Sequence, residues 1–333
     1  MARVAATTEL RDAELPGGAP PAPARRTFQA MGTLVTLLVP EPRTDRDGAR
    51  VDQALGIVRG VFAREDQRFS RFRHDAEISR VNARAGRRTV VSAPFAKVLR
   101  ASLDAAERTR GLFDPTVLPA LLAAGYDRDF DEVIAGARLA LHPPEPCGRW
   151  REVDHRGHEI RLPADVALDF GGIAKGWTVD RAAKRIRHLV PWALVDAGGD
   201  LRIVGRVPDE GLEIAVEDPH DAAAELLRVL LTRGAVATSS VTLRSWGPGL
   251  HHLIDPRTGR PAQTGILQAT AWAPTCAEAE VRSKWALLAP DEALDRHPAV
   301  LVRDDGAVVT NLDDDQAWPR ANRALDDISP AAP

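Results

Sequence analysis

The stretch Ala167-Leu168-Asp169-Phe170-Gly171-Gly172-Ile173-Ala174-Lys175-Gly176-Trp177-Thr178-Val179-Asp180 passes from an apolar, strand-like run through two glycines into a helical pattern. A strand is expected over Ala167–Phe170 and a helix from Ile173 to about His188. Glycines at such a corner let a ligand approach the backbone closely. The helix N-terminus offers N–H groups and a partial positive charge to a phosphate. Lys175 adds a mobile cation in the first turn. Taken alone, the same residues more often make a plain tight turn with a solvated lysine. The spacing is not a Walker A loop, because Trp177 stands where the lysine must be.

Working outward, Thr33-Leu34-Val35-Thr36-Leu37-Leu38-Val39 is apolar and β-branched on both alternations, which suits a buried strand. Val51, Leu55, Val58 and Phe62 follow helical spacing and predict an amphipathic helix ending near Arg64. Ser92 reads as the N-cap of a second helix, with Phe95, Val98, Leu99 and Leu103 on one face and Gly111 just past its end. Further strands are expected at Glu159–Leu162, Ala193–Ala197, Leu201–Val204 and Leu212–Val216. A late helix is expected over about Ala277–Leu288, followed by a hairpin over Val300–Val309 that turns at Asp304-Asp305-Gly306. Residues 1–26, made of Ala, Pro, Gly and charge, read as a disordered tail, and 321–333 as a flexible one. No repeat or Pro/Ser-rich linker divides 27–320, which favours one α+β domain.

The 333 residues include 44 Lys and Arg against 47 Asp and Glu, a net charge of −3. That balance argues against nucleic-acid binding, which needs a basic face to displace phosphate counterions. No apolar run approaches the roughly 20 residues needed to span a bilayer, so no integral membrane protein is expected. The N-terminal segment lacks the apolar core of a secretory signal. Cys147 and Cys276 show neither a CxxC pair nor zinc spacing, so a reducing, cytoplasmic setting is expected. His158-Glu159 lacks the second histidine of HExxH, and there is no G-x-S-x-G elbow or dinucleotide fingerprint.

Two more segments carry chemistry. Leu194-Val195-Asp196-Ala197-Gly198-Gly199-Asp200-Leu201 joins two strands at a Gly-Gly corner flanked by carboxylates, which alone is most often a hairpin. His251-His252-Leu253-Ile254-Asp255-Pro256-Arg257-Thr258-Gly259 gathers an imidazole, a carboxylate and a guanidinium around a proline turn. His252 is a candidate general base. The plainer reading is a surface turn in which Asp255 and Arg257 pair weakly. Adjacent side chains of a strand face opposite ways, so one of the two histidines is expected to be structural.

The order of these segments is itself informative. Phe28-x-x-Met31-Gly32-Thr33, Phe69-Ser70-Arg71-Phe72 through Asn82, Gly111-Leu112-Phe113-Asp114-Pro115-Thr116, Asp169 to Asp180, Gly198-Gly199-Asp200, Ala237-Thr238-Ser239 and His252 to Gly259 follow one another in the chain. The set resembles the ApbE family of flavin transferases over about residues 27–310. The resemblance implies an α+β, T-fold-like architecture of mixed or antiparallel sheets flanked by helices, as a monomer or homodimer. It also implies FAD as substrate, with Mg²⁺. FMN would pass to a Thr or Ser hydroxyl of an acceptor flavoprotein, with release of AMP. By resemblance, His252 is the base, Asp255 orients it or binds ligand, and Lys175 serves the phosphates. Met31, Asn82, Asp114, Thr116, Asp169, Gly171, Gly172, Thr238 and Ser239 map to nucleotide-binding positions. An FAD pyrophosphatase, or a binding protein that has lost metal-dependent transfer, would share the same site.

One departure bears on the metal. The family's late helix carries Ala-Asp-x-x-x-Thr, whose Asp and Thr ligate Mg²⁺ with a backbone carbonyl of the Ile-Ala-Lys segment, here Ala174. The corresponding residues are Ala279, Glu280 and Lys284. An ammonium has no lone pair, so Lys284 stands at a ligand position without being a ligand. Either the metal shifts, or Lys284 stands in for part of its charge at the diphosphate. The plain alternative is a surface i, i+4 pair worth about 0.3–0.5 kcal/mol. Ala76 replaces the usual Ser after Asp75, and Ser240 the usual Gly after Thr-Ser, which touches flavin contacts rather than the fold.

Overall fold

Val35, Leu37 and Val39 face one side of their strand and Leu38 the other, and all four are buried. A strand covered on both faces belongs in the middle of a layered structure. In the computed structural model, which describes residues 2–4, 22–134, 142–145, 147–208, 211–221 and 224–312, that middle is an eight-stranded sheet. Its strands are β1 (Ala24–Ala30), β2 (Thr33–Val39), β3 (Trp192–Ala197), β4 (Leu201–Gly205), β5 (Ala235–Ser240), β6 (Ile266–Ala273), β7 (Ala299–Arg303) and β8 (Val308–Thr310). They lie side by side in chain order, every neighbour antiparallel.

The helices are α1 (Asp45–Phe69), α2 (Glu77–Asn82), α3 (Ala93–Arg108), α4 (Leu118–Ala123), α5 (Phe130–Ile134), α6 (Ala174–Ile186), α7 (Cys276–Leu288) and α8 (Pro290–Leu294). Val51, Ala54, Val58 and Phe62 of α1 and Val179, Ala182 and Ile186 of α6 pack on the β2 and β3 residues of one sheet face. On the other face Leu38, Leu194, Ile203, Val236 and Trp272 meet Ile214, Val229 and Leu231 of a small sheet. In that small sheet Leu212–Glu217 pairs with Glu225–Leu231 and with Ala2–Val4.

The expected α+β class, helix starts and late hairpin agree with this architecture. Ser92 accepts from the Phe95 N–H as an N-cap, and Thr275 caps α7 by accepting from the Glu278 N–H. Three expectations are corrected. The first helix runs to Phe69 rather than Arg64. Residues 167–170 form no strand, because the Asn82 side chain takes the place of a neighbouring strand. Its Oδ1 accepts from the Leu168 N–H at 2.8 Å and its Nδ2 donates to the Leu168 carbonyl at 2.9 Å. The N-terminal tail gives way to β1 at Ala24, and residues 2–4 form an edge strand; 5–21 lie outside the described residues, as do 313–333. Finally, the central strands β5 and β6 were not anticipated.

Candidate functional site

The Gly171–Gly172 corner opens onto a cleft of about 760 Å³, walled by the β1–β2 turn, the end of α1, the 112–117 loop, the start of α6, the 244–256 loop and α7. That volume suits a dinucleotide-sized ligand. Among the residues named from sequence, Met31, Asp114, Asp169, Gly171, Gly172, Ala174, Lys175, His252 and Lys284 line it. Asn82, Thr116, Thr238, Ser239, Asp255 and Glu280 stand behind the wall. Asn82 clamps Leu168 as described. Thr116 bonds Asp114 Oδ1 through both its N–H and its hydroxyl, at 2.7 and 2.5 Å. Thr238 pairs with Thr270, and Ser239 with Ser283 on α7.

The glycine turn satisfies much of its own backbone. The Gly171 N–H donates to Asp169 Oδ1, the Ile173 and Ala174 N–H groups to the Phe170 carbonyl, and the Gly176 N–H to Glu280 Oε2. The positive charge of the cleft therefore comes from side chains more than from the helix N-terminus. Nor is Lys175 a mobile cation. It contacts Asp200, which is 1% exposed, and lies 3.6 Å from Glu280 Oε1. Burial pushes its ammonium pKa below the ordinary lysine value, and Glu280 opposes that shift.

Gly176 lets α6 and α7 meet, since a Cβ there would lie 2.6 Å from the Cys276 carbonyl. Asp180 fixes the junction by accepting from the Cys276 and Ala277 N–H groups at 2.9 and 3.1 Å, with Arg202 against the same carboxylate. This junction fixes the height of α7, with Lys284 on the cleft wall and Glu280 behind it.

His251 and His252 point to different surroundings, although the short strand Leu250–His251 ends before His252 and the split is made by the bend that follows rather than by strand alternation. His251 is buried, with Nε2 at 3.0 Å from the Ala262 carbonyl. His252 lines the cleft, and its Nδ1 has no hydrogen-bond partner. Burial, then Arg244 and Lys284, hold its imidazole well below the ordinary histidine value, so it is neutral near pH 7. Asp255 does not orient it. That carboxylate accepts from Arg257 Nε and Nη2 at 2.9 and 2.8 Å and from the Arg257 N–H, pinning the proline turn.

Sequence reading missed Arg71 and Arg244, which both line the cleft. Arg71 meets Asp169 at 2.9 Å and lies over the Phe72 and Tyr126 rings at 4.2 and 4.5 Å. Its motif, Phe69-Ser70-Arg71-Phe72, was visible; its role was not.

Residues 31–300 match the model of the ApbE family. The chain belongs to the ApbE family. A protein of Treponema pallidum (strain Nichols) named FAD:protein FMN transferase is 28% identical over 289 residues, spanning 77% of this chain and 75% of that one. One of the same name from Haemophilus influenzae is 27% identical over 260 residues, 72% of this chain and 73% of its own. The ApbE protein of Thermotoga maritima superposes with a TM-score of 0.76 at 24% identity, covering 86% of this chain and 96% of that one. The flavin transferase ApbE of Vibrio cholerae gives 0.71 at 21%, with the same two coverages. These two structures establish the shared ApbE fold.

The ApbE metal position does not fit Mg²⁺ here. A hard dication needs several oxygen ligands near octahedral geometry. Glu280 Oε2 is engaged by the Gly176 N–H, and Oε1 faces two ammoniums, Lys284 Nζ at 3.4 Å and Lys175 Nζ at 3.6 Å. The Ala174 carbonyl accepts from the Thr178 hydroxyl. Among the described residues, no group of three His, Cys, Asp or Glu is placed to hold a metal.

Proposed function

We propose that this chain is an FAD:protein FMN transferase whose acceptor is a flavoprotein presenting a Thr or Ser hydroxyl. The reading rests on one arrangement: a neutral imidazole, His252, and two ammoniums, Lys175 and Lys284, facing one dinucleotide-sized cleft. The relatives named FAD:protein FMN transferase support it. In this reading the diphosphate of FAD lies between the lysines. The acceptor hydroxyl oxygen bonds to the FMN phosphorus as the bond from that phosphorus to the bridging oxygen breaks. AMP leaves with the bridging oxygen, and the hydroxyl proton passes to the His252 imidazole. Phosphoryl transfer of this kind depends on positioning and on charge at the phosphates, both of which the cleft supplies.

The same proposal places the protein in the cytoplasm, on the ground that both cysteines are free. No helix among the described residues is long and apolar enough to cross a membrane.

Purified protein, FAD and an acceptor FMN-binding domain test the function, with mass spectrometry reading FMN on the acceptor and chromatography reading AMP. His252→Ala is expected to slow transfer by about 10²–10⁴-fold while FAD remains bound. Transfer by that variant at the wild-type rate removes His252 from the base role. AMP and free FMN formed without acceptor would instead select a pyrophosphatase. Retained FAD with no turnover would select a binding protein.

A further inference from the structure

We infer that Lys284, supported by Lys175, takes the place of a divalent cation at the FAD diphosphate, so that this chain binds FAD without metal. The inference rests on the transferase reading for the identity of the ligand. Its own support is the geometry of α7. Lys284 is not half of a solvated surface pair, because its partner Glu280 is 1% exposed and the lysine itself lines the cleft.

Its stem is accommodated by the glycine turn. A Cβ on Gly172 would lie 3.1 Å from Lys284 Cε, 3.4 Å from Cδ and 3.0 Å from Phe113 Cε2. Gly172 therefore leaves room for the Lys284 stem beside the turn, a use of that residue separate from turn geometry.

The charges at the site are arranged as a quartet: Lys175 against Asp200, and Lys284 against Glu280. The two halves are unequal. Lys175 is in close contact with Asp200, whereas Lys284 Nζ lies 3.4 Å from both the Glu280 carbonyl and its Oε1. Those separations exceed the 2.7–2.9 Å of a strong charge-assisted hydrogen bond. Lys284 is thus the cation free to move onto a phosphate oxygen, as a compact point charge on a flexible stem. Glu280 would keep the Gly176 N–H and Lys175 when it leaves. A dication in the same place would face both ammoniums at once.

Flavin fluorescence titration of the full chain, in excess EDTA and then in excess MgCl₂, tests this without relying on turnover. FAD affinity is expected to agree within about twofold between the two conditions, a difference well under 1 kcal/mol. Lys284→Gln is expected to weaken FAD binding about tenfold, the scale of one charge-assisted hydrogen bond, with Lys284→Arg restoring most of it. A thermal melt confirms that each variant is folded. Glu280→Asp combined with Lys284→Thr is expected to make FAD affinity rise on adding Mg²⁺. FAD binding that requires Mg²⁺ in the wild type, or a folded Lys284→Gln that binds FAD as tightly as the wild type, overturns the metal-free proposal and leaves the transferase reading standing. Failure to bind FAD under either condition overturns both.

Discussion

His252 owes its protonation state to its neighbours. Arg244 and Lys284 both disfavour the imidazolium, on top of burial. A general base works when neutral, so activity is lost as pH falls through its pKa. Because that pKa lies below the ordinary value of about 6.5, the acid limb of kcat/KM is expected well below pH 6.5. Arg244→Gln removes one opposing cation, and the limb should then move to higher pH. A pH–rate series on the two proteins checks the direction; an unmoved limb separates Arg244 from the histidine's titration. How much of this was legible residue by residue varies with the kind of contact. His252, Lys175 and the Gly171-Gly172 turn sit in local motifs, so the sequence points to them. Arg244 stands in no such motif. It comes to His252 through the loop fold, where its main chain accepts from the His252 N–H. Asp255 misled for a similar reason: its partner is Arg257, two residues on, rather than the imidazole three residues back.

Among elements, helices were easier to read than central strands. The α1 and α3 patterns are amphipathic and capped, so periodicity finds them. Strands β5 and β6 are rich in alanine, a poor strand former by propensity. Ala235, Ala237, Ala269, Ala271 and Ala273 are all fully buried. Ala269 and Ala271 share a cluster with Trp285 and Ala286 of α7. Small side chains there let the helix sit low on the sheet, a tertiary demand that overrides propensity. Residues 167–170 show the converse. They have a strand's pattern, yet the Asn82 side chain pairs with Leu168 and the Pro115 carbonyl accepts from the Asp169 N–H, in place of a neighbouring strand. The α6–α7 contact makes a further prediction. Gly176→Ala would place a Cβ 2.6 Å from the Cys276 carbonyl, forcing apart the helices that carry Lys175 and Lys284. Urea denaturation should show a loss of about 1–3 kcal/mol, as for other overpacked sites, together with weakened FAD binding.

Across the whole molecule, the sheet separates stability from chemistry. The helices and the cleft lie on one side, and the Trp272 cluster lies on the other. Trp272 is completely buried. Trp272→Ala is expected to cost about 3–5 kcal/mol in a urea melt. FAD affinity of the protein that remains folded should be unchanged. A matched loss of affinity would show that the far face transmits strain to the site.

The chain-ordered sheet also bears on how such a protein diversifies. Each strand's spatial neighbour is the next sheet strand in the chain, so every cleft wall is an excursion that leaves one strand and returns to the adjacent one. The 241–265 excursion, which carries Arg244 and His252, departs from β5 and re-enters at β6, and those strands are hydrogen-bonded to each other. Ser240 stands opposite Gln268 in that ladder, so the roots of the segment are held close together whatever lies between them. Such a segment behaves as a cassette. Lengthening or recomposing its tip costs little closure entropy and shifts no strand register, so the mouth of the cleft can be recut for a new acceptor while the core that supports it stays the same.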